Sequence, residues 1–549
     1  MKRTFQLSIT FLLCMALYSS GLSAQDLHPQ FDKLLLEKYG GNRPGAAVLA
    51  MKGEEVIYRK AFGMANMELG VPMTADHVFE IGSITKQFTA VGILILLEEG
   101  KLSLYDEITK FIPDYPTQDH PITIHHLLNH TSGIKSYTSM NIMAIARQDM
   151  SPTELIDFFK NEPMDFNPGD EYRYNNSGYI LLGYIIEKLS GMTYEDFVEQ
   201  RIFSPAGMAH SRYGHKSELI VNRASGYQKA DSFSNAAYLS MTLPYAAGSL
   251  MSTVDDLAKW QKALRDELFV KQQTLQNAYT DHPLNNGKPS YYGYGFRPSE
   301  INGTATIEHG GGIFGYTSYQ IYIPEEELQV VILTNCNCNS PTDITVQLAA
   351  LAIGKPYHYL DQVTELPSEI KESLVGVYDY EDNVTRFITL EEGQLYSQRE
   401  GSSKLKIYPT DKETFYFEGG FTKLHFDLST EPISVTFHDR GVEAVKGAMA
   451  DRALPAEKVA IEVAPEVLAR YEGTYEIQPG FNLTVTVEDG SLVTQATGQP
   501  KAKMLAETQV KFFMKEVPSS LEFVIGEDGR AMACILYQGT REIKALRKP

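Results

Sequence analysis

The last third of the chain contains the same pattern twice. "LVGVYDY" (374–380) aligns with "YEGTYEI" (471–477), and "ITLEEGQLYSQ" (388–398) with "VTVEDGSLVTQ" (485–495). A single offset of 97 residues relates Gly376 to Gly473, Tyr378 to Tyr475, Gly393 to Gly490, Leu395 to Leu492, Phe415 to Phe512 and Phe426 to Phe523. One offset shared by so many positions marks an internal duplication. Each copy is under about 100 residues, with short alternating strands at even spacing and turn residues between them. That pattern predicts a small antiparallel β-barrel, since closure removes the edges an isolated sheet would expose. The expected barrels span residues 368–452 and 465–549. "DRALPAEKVAIEVAPE" (451–466) reads as the linker.

The remaining 25–357 has a different texture. "GAAVLAMKGEEVIYRKAFG" reads as two strands about a Lys52-Gly53-Glu54 turn, and strand signals return from about residue 305 in "ATIEHGGG" and "TSYQIYIPEEELQVVILTN". Between them lie helical stretches such as "GYILLGYIIEKLSG" and "STVDDLAKWQKAL". Strands at both ends with helices between predict one antiparallel sheet flanked by helices, with a helical lobe beside it. The whole chain is 549 residues and 43% hydrophobic, enough for several cores.

The opening "MKRTFQLSITFLLCMALYSSGLSAQD" has basic Lys2 and Arg3, an apolar run from about Leu7 to Leu17, and a small-residue exit at Leu22-Ser23-Ala24. These are the parts of a secretory signal peptide, residues 1–24, which predicts a periplasmic or secreted protein. The apolar run is short for a retained anchor, and bulky Leu13 argues against lipidation at Cys14. With the signal removed, no membrane span is expected. The formal charge of −20 and the lack of a basic patch argue against a nucleic-acid partner. Cys336, Cys338 and Cys534 are an odd set that predicts neither a disulfide framework nor a zinc site.

Ser-x-x-Lys occurs four times, at Ser83/Lys86, Ser132/Lys135, Ser368/Lys371 and Ser403/Lys406. Only the first opens a segment, Ile84 to Leu97, that is apolar nearly all round and so is expected to be a buried helix. Residues three apart share a helix face. A lysine in that first turn loses hydration and meets the positive end of the helix dipole, and both effects lower its pKa. The neutral amine that results can take the proton of a serine hydroxyl, which is otherwise a weak nucleophile. The competing reading is a capping serine beside a snorkelling lysine.

Two further motifs each occur once: Tyr174-Asn175-Asn176 in "FNPGDEYRYNNSGY" and His309-Gly310-Gly311 in "IEHGGGIFGYTS". In the order Ser-x-x-Lys, Tyr-x-Asn, His-x-Gly, at separations of 91 and 135 residues, the set resembles the serine beta-lactamase and penicillin-binding-protein family, in its class C, DD-peptidase and D-aminopeptidase branch. "LLNHTSGI", "IFSPAGM" and "AAGSLMSTVDDLAKW" extend the resemblance across about residues 30 to 355.

The resemblance implies a beta-lactamase-like catalytic domain followed by two lipocalin-like barrels, as in D-aminopeptidases. It implies Ser83 as nucleophile, with Lys86 and Tyr174 handling its proton, the phenol also protonating the leaving group. Asn176 would hold the substrate amide. His309 and Gly311 would lie on the strand that pairs with substrate, and the backbone amides of Ser83 and Gly312 would form the oxyanion hole. The implied activity is hydrolysis of peptide amides or esters through an acyl-enzyme. Small, cell-wall-derived peptides with D-amino acids are the expected substrates, and no cofactor or metal is expected. A carboxylesterase, a weak beta-lactamase and a non-catalytic peptidoglycan-binding protein are the alternatives. Where many relatives carry a lysine that faces a substrate carboxylate, this chain has His309, which is mostly neutral at pH 7 and a weaker anion partner. His126 and His130 have zinc-helix spacing, but Leu127 stands where a general-base glutamate would follow. "GGGIFG" lacks the Gly-Lys-Ser/Thr ending of a phosphate loop, and Trp260 reads as core.

Overall fold

The computed structural model describes residues 24–338, 340–357, 363–456, 458, 460–478, 481–497, 499–514, 519–538 and 541–548. The expected signal peptide lies outside the described residues except for Ala24, which begins helix α1 (Ala24–Tyr39). The chain divides after Tyr357 into two compact units.

The first unit is built on a six-stranded antiparallel sheet. Its strands are β1 (Ala46–Lys52), β2 (Glu55–Phe62), β3 (Arg297–Ile301), β4 (Thr304–Ile313), β5 (Tyr316–Ile323) and β6 (Leu328–Thr334), in the order β3-β4-β5-β6-β1-β2. The two ends of the unit therefore meet in mid-sheet, with Ala46 opposite Thr334 and Lys52 opposite Leu328. Every residue of β6 is buried, as are the first five of β1. Such unbroken burial requires cover on both faces, and the sequences "AAVLA" and "LQVVILT" supply aliphatic side chains for it.

Helix α2 (Thr85–Glu98) is the axis of the helical lobe. From Thr85 to Leu96 each of its residues is buried, as its all-round apolar sequence predicts. It packs against α3 (Asn176–Ser190), which Asn175 caps by accepting a hydrogen bond from the Gly178 amide and Gly191 ends in a left-handed turn. Helix α4 (Val254–Arg265) lies against β1 and β6, and α5 (Thr342–Ala352) against β5 and β6. Trp260 on α4 is fully buried, and its indole N–H donates to Gln87 Oε1 at 3.2 Å.

The second unit contains two closed eight-stranded antiparallel barrels, one from Gly376–Tyr380 to Val445–Ala450 and one from Gly473–Gln478 to Arg541–Arg547. They share a register: Gly376 pairs with Ile388 and Gly473 with Val485, while Phe415 pairs with Leu424 and Phe512 with Leu521. The repeated tyrosine has a structural reason. Tyr378 donates its hydroxyl hydrogen to the Leu374 carbonyl at 2.9 Å, and Tyr475 does the same to Tyr471 at 2.7 Å, pinning each first strand to the short helix before it. Within the linker, Ile461 already pairs with Ala506 of the second barrel.

The cysteines differ from expectation. Cys336 and Cys338 are joined in a disulfide across one intervening residue, a ring that no framework of well-separated cysteines signals. Cys534 is free and buried, its thiol pushed up to about 12 by loss of hydration.

Candidate active site

Strand Phe79–Glu80 leads into the site, held by pairing with Leu250–Ser252. The buried Glu80 carboxylate reinforces it, accepting from Lys216 Nζ at 2.6 Å and Arg223 Nη2 at 2.9 Å. Gly82 then turns the chain with φ of 53°, a conformation that favours glycine. Ser83 lies in the short 3-10 turn Gly82–Ile84 just before α2, rather than in the first α-helical turn.

Lys86 is completely buried and has three polar neighbours. Its Nζ is 3.1 Å from Ser83 Oγ, 2.8 Å from Asn176 Oδ1 and 2.9 Å from the Ala247 carbonyl oxygen. The rings of Tyr174 and Tyr179 lie 4.8 and 5.4 Å from it, centroid to nitrogen. Burial holds the amine well below the ordinary lysine value. A neutral amine has two N–H donors and one lone pair. Asn176 Oδ1 and the Ala247 carbonyl can only accept, so they take the two hydrogens and leave the lone pair for the Ser83 hydroxyl. In its neutral form the Lys86 amine can therefore accept a hydrogen from Ser83 Oγ.

Tyr174 carries the opposite bias. Burial pushes its phenol up from the ordinary value, and the neighbouring Ser83 hydroxyl draws it part of the way back. Because the residue is 37% exposed, solvent screens part of that push, but the direction keeps the phenol protonated at neutral pH. Asn176 is shared between two duties: its Oδ1 accepts from Lys86, and its Nδ2 donates to Thr138 Oγ1 at 3.0 Å. The amide of Asn176 donates to Ser136 Oγ at 3.2 Å.

His309 on β4 is only 7% exposed. Its Nδ1 is 2.7 Å from the Gly310 carbonyl oxygen and its Nε2 is 2.7 Å from Tyr292 Oη. The carbonyl can only accept, so Nδ1 carries the hydrogen and Nε2 accepts from the tyrosine. Burial pushes the ring down to about 3. His309 is thus a neutral, doubly occupied imidazole.

The glycines after it have separate geometry. A Cβ on Gly311 would stand 2.0 Å from the Ile81 carbonyl oxygen and 2.4 Å from Ser318 Oγ, so a side chain there would push β4 off the Ser83 turn. A Cβ on Gly312 would face open space. The strand and the turn meet closely, since a Cβ on Gly82 would lie 2.9 Å from the Gly312 amide nitrogen. The Gly312 backbone thus lies directly against the turn that carries Ser83.

Tyr292 was not singled out by sequence, and His126 and His130 were weighed there only for their zinc-helix spacing. Tyr292 holds His309. His130 accepts the Asn175 amide hydrogen on Nδ1 at 3.1 Å and packs its ring 4.2 Å from that of Tyr174, so it is a prop for the Tyr-x-Asn segment. His126 accepts from the Thr123 amide through Nδ1. The other three Ser-x-x-Lys pairs are occupied elsewhere: Lys135 with Asp165, Lys371 with the Gly393 carbonyl, and Lys406 with Glu418.

The family profile described as "Beta-lactamase" matches residues 31–353, and one described as "Domain of unknown function (DUF3471)" matches 457–546. Penicillin-binding protein 4* of Bacillus subtilis (strain 168) is 29% identical over 415 residues, covering 70% of this chain and 90% of that protein. D-aminopeptidase of Gluconobacter oxydans (strain 621H) is 27% identical over 346 residues, covering 61% of this chain and 63% of that protein's length. Among solved structures, the octameric penicillin-binding protein homologue from Pyrococcus abyssi superposes with a TM-score of 0.55 at 27% identity, covering 77% of this chain and 99% of that one. The D-amino acid amidase from Ochrobactrum anthropi SV3, complexed with D-phenylalanine, gives 0.53 at 26% identity, covering 59% and 99%. With Ser83, Lys86, Tyr174 and Asn176 around one buried amine and the profile spanning more than half its length, this chain belongs to the beta-lactamase family, among relatives of the penicillin-binding-protein and D-aminopeptidase type.

Proposed function

We propose that the protein is an exported serine hydrolase that opens amide or ester bonds of small, cell-wall-derived peptides containing D-amino acids. The observation that carries this reading is the Lys86 amine, buried without a carboxylate partner among the described residues and pinned by Asn176 and Ala247 with its lone pair toward Ser83 Oγ. Lys86 Nζ takes the hydroxyl proton as Oγ attacks the substrate carbonyl carbon, and the oxygen that becomes negative is met by the amides of Ser83 and Gly312. As the carbon–nitrogen or carbon–oxygen bond breaks, Tyr174 gives its phenolic proton to the leaving group and recovers one from the Lys86 ammonium. Water then releases the acyl group from Ser83 by the same exchange in reverse. A positioned base of this kind is worth about 10² to 10⁴ in rate, and each oxyanion donor about 10² to 10³.

The relatives' names support a D-amino-acid preference: a D-aminopeptidase by sequence and a D-amino acid amidase by structure. The neutral, doubly occupied His309 disfavours substrates that need a cation against a carboxylate at that position, which favours amidase, aminopeptidase or esterase action over carboxypeptidase action. A panel of D-aminoacyl nitroanilides, short esters and nitrocefin separates these classes. Intact-mass analysis with a fluorophosphonate is the direct test. Wild type gains one adduct and Ser83→Ala none; an unlabelled wild type with undiminished peptide affinity would mark a binding protein instead.

A further inference from the structure

The two barrels share a register through their first six strands, the seventh being displaced by two residues, but they are filled differently. In the first, the Arg386 guanidinium lies among three rings, 4.2 Å from the centroid of Phe437, 5.8 Å from Phe417 and 5.9 Å from Tyr380. A cation stacked on aromatic faces is held by their negative π-clouds, and here it occupies one end of the barrel. Strand pairing carries two of these positions onto the second copy, placing Leu536 rather than Cys534 opposite Leu521, and the 97-residue offset carries the other two. Tyr378 pairs with Arg386 and Tyr475 with Leu483; Leu424 pairs with Phe437 and Leu521 with Leu536. Tyr380 and Phe417 become Ile477 and Met514 at the 97-residue offset.

All four replacements are smaller and aliphatic, and all four line a cavity of about 150 Å³ in the second barrel. Thr494, Gln499, Ser519 and Gln538 also line it, and no charged residue does among the described residues. Ser519 is 5% exposed and its Oγ has no hydrogen-bond partner among the described residues. An interior of this kind is unusual on two counts: aliphatic side chains facing space lose dispersion contacts, and a buried hydroxyl is normally paired. Eight strands leave an interior that side chains just fill or that admits one small ligand. The first copy follows the former course and the second is open to the latter.

We propose that the second barrel is a binding site for one small, uncharged, mainly apolar molecule bearing a single hydrogen-bonding group. The hydrocarbon part lies among Ile477, Leu483, Met514 and Leu536, and the polar group meets Ser519 Oγ. A cavity of this volume lined by aliphatic side chains accepts a ring of benzene size or somewhat larger. The ligand class is therefore a small aromatic or short-chain alcohol, phenol or ester.

The test uses the full chain as Ser83→Ala, so that the hydrolase site consumes nothing, titrated with 2-naphthol and with naphthalene while ligand fluorescence is followed. One saturable site per chain for 2-naphthol is expected. Leu483→Phe, which fills the cavity, should weaken it at least tenfold. So should the fourfold exchange Ile477→Tyr, Leu483→Arg, Met514→Phe and Leu536→Phe, which transplants the first barrel's plug as a unit. Ser519→Ala should weaken 2-naphthol severalfold and leave naphthalene unchanged. No saturable binding up to the solubility limit, or binding unaltered in a filled variant, overturns the proposal. Crystals of the wild-type chain soaked in 2-naphthol give a readout independent of any variant. Ligand density between Leu483 and Ser519 supports the assignment; ordered water there, or ligand only elsewhere, overturns it.

Discussion

Asn176 Oδ1 lies 2.8 Å from Lys86 Nζ, and the same amide group gives its Nδ2 hydrogen to Thr138. The side-chain amide is oriented by its two neighbours, so its oxygen must face the amine. Asn176→Asp would put a carboxylate in that position and favour the ammonium, since an opposite charge at this range raises a lysine pKa by about 1–3 units. The acidic limb of the pH profile of kcat/KM should move up by at least one unit, with rates approaching wild type only in alkali. An unmoved limb would show that Lys86 is not the base.

Loss of the amine itself has a different signature. Lys86→Met keeps the volume of the side chain but leaves the Ser83 hydroxyl without an acceptor for its proton. Acylation by a fluorophosphonate should slow by about 10² to 10⁴ at pH 7. The nucleophile remains, so the adduct should still form at long times, which distinguishes this variant from Ser83→Ala. Time-resolved intact mass reads both.

Gly311 and Gly312 are neighbours with opposite tolerance. Gly311→Ala forces a methyl into the Ile81 carbonyl and should lower the melting temperature of the catalytic unit and the activity together. Gly312→Ala meets open space and should leave the melting temperature within about 2 °C of wild type, since surface changes usually fall within ±0.5 kcal/mol. Its effect should fall on kcat/KM alone. Calorimetry and steady-state kinetics on the pair check this.

His309 gives the folded protein an acid limit. In the unfolded chain the ring titrates near 6.5, and in the folded one near 3. Below pH 6.5 the unfolded state binds a proton that the folded state refuses. Stability therefore falls as pH drops through this window, by at most about 1.4 kcal/mol per pH unit from this group, and levels off below pH 3. His130, held well below its ordinary value by burial, acts in the same direction. Replacing the ring in His309→Gln should flatten the slope of melting temperature against pH between 3 and 6.5.

Glu80 is buried against Lys216 and Arg223, two residues before the Gly82 turn. Glu80→Gln leaves two partly buried cations without their counter-charge, which costs about 3–5 kcal/mol in such settings. Denaturant unfolding followed by Trp260, the single tryptophan and one that lies in the catalytic unit, reports it without interference from the barrels.

The parts of the fold that sequence disclosed were those with a local signature. The all-round apolar run after Ser83 announced a buried helix, and the 97-residue offset announced two like barrels down to the register of Gly376 and Gly473. The motif residues Ser83, Lys86, Tyr174 and Asn176 do meet, brought from the turn before α2, from α2 itself, and from the start of α3 with the loop that leads into it. What pattern could not disclose were partners chosen by tertiary contact alone. Tyr292 is one of many tyrosines, and nothing in its neighbourhood marks it as the hydroxyl that occupies His309. The Ala247 carbonyl has no side-chain signature at all. Ser83 was expected within the first helical turn, but the left-handed Gly82 tightens the entry into a 3-10 turn instead. Likewise, the exchange of Arg386 for Leu483 between the two copies carries no local signature of what each barrel encloses.

Strand β1 sits between β2, which follows it at once, and β6, which is made about 290 residues later. At about 5–20 residues per second, a ribosome needs on the order of 15 to 60 seconds to cover that distance. Throughout that interval β1 presents a bare, strongly aliphatic edge of the kind that recruits foreign strands. The first unit can therefore complete its folding only once its last strand is available. Its yield should depend on whatever shields that edge in the meantime, whereas each barrel, a meander of consecutive strands, can close as soon as its own eighth strand arrives.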